Sequence, residues 1–296
     1  MRFGVALPQF GPRARDPAVR DRIREVAVAA DRLGYDVVWT AEHLIFPAEI
    51  RTPYPYGGGR APFDVTDPIL DVTATLAYVA ALTTRVRLGT SVIVLPYHHP
   101  IGLAKALATV DVLSDGRLLL GVAGGWLREE FELLGVPYAE RGARTDEYLA
   151  LITRLWTDER VSFRGRFFAL DDAVCFPKPL QRPHPPIWVG GSGAAALRRV
   201  ARYGDGWMAV PADLDHLAAG IETVRRGATA AGRDPSTIGV ASSGGARSMD
   251  DLLAVLPRLE KLGVTIVNVP ALFWARNVPE AIELMERFAE RVWNHR

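Results

Sequence analysis

The chain alternates short apolar runs with longer amphipathic stretches from one end to the other. Phe3 to Pro8 predicts a first strand, and after a polar loop Asp16 to Leu33 carries apolar residues at helical spacing and closes at Gly34. Asp36 to Ala41 predicts a second strand, Thr66 to Thr83 a helix, and the β-branched run Val86 to Leu95 a third strand. Pro100 to Leu113 reads as helix, and further strands are expected at Arg117 to Val122, Ile187 to Val189, Gly206 to Val210, Ile238 to Ser242 and Thr265 to Pro270. Helices Ala194 to Tyr203, Leu214 to Ala231, Asp250 to Leu262 and Val278 to Trp293 fill the remaining gaps. The strands are Val/Ile-rich rather than alternating, which is what a parallel sheet covered by helices requires. Units of this kind, repeated about eight times, close a barrel, whereas a doubly wound open sheet leaves an edge to manage. The expected fold is therefore α/β, a TIM (β/α)8 barrel with its active site at the C-terminal ends of the strands.

Composition narrows the picture. At 296 residues and 49% hydrophobic content the chain can bury one large core, and no Pro/Ser-rich linker divides it, so residues 1–296 are expected as one domain. A net charge of +1 gives no support to a nucleic-acid or acidic-membrane surface. Cys175 is the single cysteine, which excludes an intrachain disulfide and suits an inert thiol in a reducing compartment. Met1 leads straight into a strand, and no apolar run has membrane length, so a cytoplasmic location is expected.

Three stretches exceed the short loops of a barrel, at 44–65, 124–144 and 159–186. The first carries Phe46, Tyr54, Tyr56 and Phe63 among prolines and the run Gly57, Gly58, Gly59. It suits a lid that hinges at the glycines, and equally an ordered loop packed by its own aromatics. The second carries Trp126, Phe131 and Tyr138 at the barrel mouth. The third is expected to hold a hairpin, Val161 to Phe163 against Phe167 to Ala169 across Arg164, Gly165 and Arg166, with a structural role.

Glu42 and His43 end strand two, over the mouth, and a histidine there can hold or donate a proton near neutral pH. Position alone also fits a loop histidine bonded to a neighbour. Gly124 and Gly125 at the end of strand four allow close approach of a flat ring, or merely a tight turn. Gly190, Gly191 and Ser192 open into a helix whose free N–H groups could take a phosphate. Ser242, Ser243, Gly244 and Gly245 compete for that role. His98 and His99 are adjacent and point apart, and with no ligand spacing elsewhere no metal site is expected. No nucleophile elbow, paired catalytic carboxylates or Cys/His pair is evident, so the hard chemistry is left to an organic cofactor.

Several motifs in order resemble the luciferase-like monooxygenase family. They are Phe3 to Pro8, Val38 to His43, Leu113 to Arg117 with Gly121 and Gly124-Gly125-Trp126, and Pro186 to Gly191 with Gly204 to Trp207. The branch most similar uses the deazaflavin coenzyme F420. The resemblance implies an F420- or FMN-dependent oxidoreductase, usually dimeric, acting on a small-molecule substrate. It places a non-prolyl cis peptide at Ser91-Val92, backing the cofactor ring. It assigns His43 as the active-site histidine, with Glu42 orienting or charge-stabilising it, and Gly190, Gly191 and Ser192 as the phosphate turn. The sugar-phosphate dehydrogenase branch has a glutamate acid where this chain has Trp126, so sugar-phosphate oxidation is not implied. The expected reaction is hydride transfer between a bound deazaflavin and a small organic substrate. The alternatives are an FMN monooxygenase using reduced flavin and oxygen, and a non-catalytic flavin-binding protein.

Overall fold

The structure is a computed structural model that describes residues 1–56, 59, 61–210 and 213–293. Two glycines of the expected hinge, Gly57 and Gly58, lie outside the described residues. In chain order the elements are β1 (Arg2–Ala6), α1 (Val19–Leu33), β2 (Val37–Thr40), α2 (Val72–Leu82), β3 (Arg87–Thr90), β4 (Ile93–Val94) and α3 (Pro100–Leu113). They continue as β5 (Leu118–Ala123), α4 (Arg128–Leu133), α5 (Arg141–Thr157), β6 (Val161–Arg164), β7 (Ala169–Ala173), β8 (Ile187–Gly190) and α6 (Ala194–Tyr203). Last come β9 (Gly206–Met208), α7 (Leu214–Ala230), β10 (Gly239–Ser242), α8 (Met249–Leu262), β11 (Ile266–Val269), α9 (Ala271–Trp274) and α10 (Val278–Trp293).

The main sheet runs β3-β2-β1-β11-β10-β9-β8-β5-β4, and an additional β3–β5 pairing closes it into a parallel barrel. Because β3 and β4 are successive pieces of one stave, the barrel has eight. The TIM-barrel expectation is met. Inside it, Trp39 and Trp188 fill the lumen with Val37, Leu119, Met208, Ala241 and Ile266. Glycines make room for the two indoles: a Cβ on Gly4 or Gly89 would overlap Trp39, and one on Gly206 would overlap Trp188. Large and small residues thus alternate between neighbouring staves, as a filled barrel interior demands.

Several boundaries differ from the sequence reading. The third strand is not continuous over Val86 to Leu95. The Ser91–Val92 peptide is cis, and Ile93 and Val94 pair with Val122 and Ala123 beyond it. The helix expected from Thr66 starts instead at Val72, where the Asp71 carboxylate accepts from the Ala74 N–H at 2.8 Å. The preceding backbone is held back by Leu70 N–H donating to the Gln9 carbonyl at 3.0 Å. In the third insertion the hairpin is present but its return strand is displaced: Phe167 and Phe168 lie in the turn and β7 starts at Ala169, with Arg164 opposite Ala169 and Phe163 opposite Leu170. The Glu147 carboxylate gathers the N–H groups of Arg166, Phe167 and Phe168 in the turn at 2.7–2.8 Å. That ties the hairpin to α5.

Candidate active site

Side chains at the C-terminal ends of parallel barrel strands converge on one mouth, and His43 follows β2 there. Its Nδ1 lies 2.6 Å from Oε2 of Glu130, a residue of α4 with a side chain that is 0% exposed. The same carboxylate accepts from the Tyr97 hydroxyl at 3.0 Å and from the Leu44 and Ile45 N–H groups at 2.7 and 3.3 Å. Those three partners all donate, and the 2.6 Å contact is a hydrogen bond that Nδ1 donates in the tautomer carrying its proton there. The other ring nitrogen, Nε2, then faces away from Glu130 and has no hydrogen-bond partner among the described residues. Tyr97 stays a neutral donor, because burial and the neighbouring Glu130 charge push its phenol far above the usual range.

This corrects the role expected for Glu42. Its carboxylate accepts from the Val94 N–H at 2.8 Å and contacts His98 Nε2 at 2.9 Å, so it holds β4 and the start of α3 rather than the His43 ring. Successive residues at a strand end point to opposite sides, and Glu42 turns toward β4 while His43 turns toward α4.

Aromatic rings surround the imidazole. Phe46, Phe63, Phe10 and Trp126 have centroids 4.7, 5.6, 5.9 and 6.0 Å from that of His43. Tyr54 stands edge-on to Trp126 at 5.2 Å, and burial pushes its pKa up to about 12. Within the 44–65 stretch, Phe46 and Phe63 therefore pack onto the histidine and onto each other, in line with the reading of a loop packed by its own aromatics. Glu129 fastens the same loop a second time, accepting from the Arg51 and Thr52 N–H groups at 3.1 and 3.0 Å and from the Thr52 hydroxyl at 2.7 Å. Partial burial works to raise the Glu129 pKa, but these hydrogen bonds outweigh it and hold the carboxyl below its usual value.

On the neighbouring staves, the barrel mouth offers a surface of small residues. A Cβ on Gly190 would lie 3.0 Å from Val92 Cγ1 and 3.8 Å from the Ala123 methyl, which brings the β3–β4 junction, β5 and β8 together. Gly191 has φ +108°, a conformation that favours glycine, and its carbonyl accepts from Trp207 Nε1 at 2.8 Å. The Ser192 hydroxyl donates to the Val210 carbonyl at 3.2 Å rather than capping α6. No side chain caps α6, and a Cβ on Gly193 would meet nothing within 4 Å. The competing cluster after β10 is differently built. Ser242 Oγ already accepts from the Gly244 N–H at 3.1 Å, and α8 is capped by Ser248 accepting from the Asp251 N–H at 3.1 Å. The open N–H groups and free space are thus at β8 and α6, where the donor set fits an anionic cofactor tail. Gly125 needs glycine for a different reason: at φ +80° its Cβ would collide with Phe131 and Val94 at 2.7 Å. Gly124 is less crowded, its Cβ lying 3.3 Å from Thr145 Oγ1.

Glu130, Tyr97 and Phe10 did not emerge as site residues from the sequence. A signal for Glu130 exists: Leu127, Phe131 and Leu134 mark the apolar face of α4, and Glu130 occupies that face among them. A carboxylate at an apolar position needs a partner, although nothing in the sequence names His43.

The chain belongs to the luciferase-like monooxygenase family, matched over residues 1–256. An uncharacterised protein of Mycobacterium tuberculosis is 34% identical over 296 residues, covering 99% of both chains. An F420-dependent hydroxymycolic acid dehydrogenase of the same organism is 35% identical over 222 residues, 74% of this chain and 57% of that protein. Among solved structures, the monooxygenase RslO1 from Streptomyces bottropensis superimposes with a TM-score of 0.81 at 27% identity, covering 100% of this chain and 99% of its own. The family is one of oxidoreductases that bind a flavin or deazaflavin. Among the described residues no helix is long and apolar enough to cross a membrane, and no group of metal-ligating side chains is found.

Proposed function

We propose that the protein is an F420-dependent oxidoreductase in which His43 exchanges the proton that accompanies hydride transfer to or from a small organic substrate. The observation that carries the reading is the His43 ring itself, fixed through Nδ1 by Glu130 and left with an unpartnered Nε2 at the barrel mouth. The surface of Val92, Ala123 and Gly190 fits the flat ring, with Ser91 before it, and Gly124 and Gly125 flank it on the β5 side. Gly190, Gly191 and Ser192, with the uncapped start of α6, fit the phosphate. When bound, the deazaflavin supplies the hydride chemistry. The protein's own part is to bind and orient the reactants, exclude water beneath the aromatic loop, and move a proton at Nε2. The similarity to the F420-dependent dehydrogenase supports this cofactor. That to RslO1, a monooxygenase, supports the monooxygenase part of the second reading, in which FMN is the cofactor proposed on the same barrel. A homodimeric, cytoplasmic enzyme belongs to the same proposal.

Oxidation of reduced F420 and of reduced FMN, followed anaerobically and in air with candidate carbonyl substrates, separates the two. Substrate-dependent oxidation of F420 without oxygen is the expected outcome. Strictly oxygen-dependent oxidation of FMN selects the monooxygenase, and binding without turnover leaves a flavin-binding protein. In the active system, His43→Ala should leave the cofactor dissociation constant nearly unchanged and lower turnover by roughly 10²-fold. Wild-type turnover in that variant would assign the proton to water or substrate.

A further inference from the structure

We infer that the group reacting at His43 is an uncharged carbonyl or hydroxyl carried on an apolar, ring-bearing body, and that carboxylate and phosphate substrates are rejected there. The inference rests on the reading above and adds the substrate class to it.

The charged group in contact with the imidazole is a carboxylate. Glu130 touches the ring at 2.6 Å and Glu129 is the next residue of α4, with side chains 0% and 8% exposed. Every partner of Glu130 is a neutral donor or His43 itself. Glu129 has one cationic neighbour, Arg51, which is 3.6 Å away with its side chain 71% exposed to water. The Glu42 carboxylate, on the other side of the strand end, has His98 as its partner. No lysine or arginine among the described residues stacks on Phe10, Phe46, Tyr54, Phe63 or Trp126; the stacked cations lie over Tyr138, Phe167, Phe176 and Tyr203. A desolvated anion at Nε2 would therefore face a buried carboxylate that no lysine or arginine among the described residues pairs with, and burying an unpaired charge is costly.

The remaining features select what does fit. On the imidazole, one ring nitrogen is without a partner among the described residues, enough to bond one oxygen of a carbonyl or alcohol. The side chain bearing it is 9% exposed and ringed by four aromatics, which present apolar faces and edges to a flat or aliphatic body. Neutral substrates match both features.

A matched pair tests this: methyl 4-formylbenzoate against 4-formylbenzoate, titrated calorimetrically into the protein saturated with whichever oxidised cofactor it binds. The neutral ester should bind at least tenfold more tightly. Phe63→Lys, which sets a cation beside the imidazole, should narrow or reverse that preference, and Phe46→Lys serves if the first variant does not fold. Equal affinities, tighter binding of the carboxylate, or no binding of the ester overturns the inference. Because the readout is binding, its failure is distinct from failure of the functional reading, which shows as absence of turnover with either reduced cofactor.

Discussion

At the scale of single residues, the site depends on a division of labour between two glutamates that the sequence places far apart. Glu42 neighbours His43 in the chain, yet Glu130, 87 residues on, holds the ring. Glu130→Gln keeps the shape but puts an amide among four donors, so at least one contact is lost and the Nδ1 proton is no longer fixed. Turnover at saturating cofactor should fall about tenfold or more, while Glu42→Gln should alter cofactor affinity through β4 and spare the proton step. Steady-state kinetics paired with cofactor titration distinguishes these, and a larger turnover loss in the Glu42 variant would reverse the assignment. The candidate histidine was legible because strand ends in a barrel face the mouth. Its partner was not, because it depends on how α4 packs against the segment that follows β2.

At the scale of elements, α6 offers a cleaner test than the glycine with the strained backbone. A side chain at Gly191 would lie 3.1 Å from the Ala196 methyl and burden the fold, whereas Gly193 has φ −75° and open space around its Cβ position. Gly193→Leu should fold normally and raise the cofactor dissociation constant by about tenfold, about 1.4 kcal/mol, by covering the open N–H groups. An unchanged constant would move the phosphate to Ser242–Gly245. A second element-level device joins α1 to β3. The Asp31 carboxylate accepts from the Arg85 and Val86 N–H groups at 2.8 and 2.7 Å and from Thr84 at 3.3 Å. Partial burial pushes its pKa up, but these bonds, led by Val86, outweigh it and hold the pKa below 3.8. A lowered folded-state pKa contributes stability that is present above 3.8 and lost as pH falls through the folded value. Asp31→Asn should therefore lower stability at neutral pH and flatten the acid limb of a denaturation series. Unchanged curves at both ends would remove Asp31 from that role. Most strands and most long helices were legible from apolar periodicity, but α5 was not among the expected helices, and α4 and α9 are single short helices whose existence follows from their tertiary contacts.

At the scale of the whole molecule, closure was legible in the repeated strand and helix units, while the lumen was not. Which glycine faces Trp39 or Trp188 is fixed by register between staves, with Gly206 opposite Trp188 across β8 and β9. That register is a property of pairing rather than of any local run. The proposed cofactor surface also belongs to this scale, since Val92 lies between β3 and β4 while Ala123 and Gly190 come from β5 and β8, and the phosphate turn feeds α6. A ligand bridging those staves favours the closed barrel over every opened state, so its binding energy appears as global stability. Supplied at 100 times its dissociation constant, a single-site ligand adds about 2.7 kcal/mol. For a chain of this size that raises the melting temperature by several degrees. Oxidised F420 should produce that rise in a thermal melt and do so at lower concentration than FMN, and Gly193→Leu should shift the F420 response to higher concentration. A rise with FMN alone would carry the protein to the monooxygenase reading. With neither cofactor raising the melting temperature, the glycine-lined mouth would have to be reassigned to another ligand.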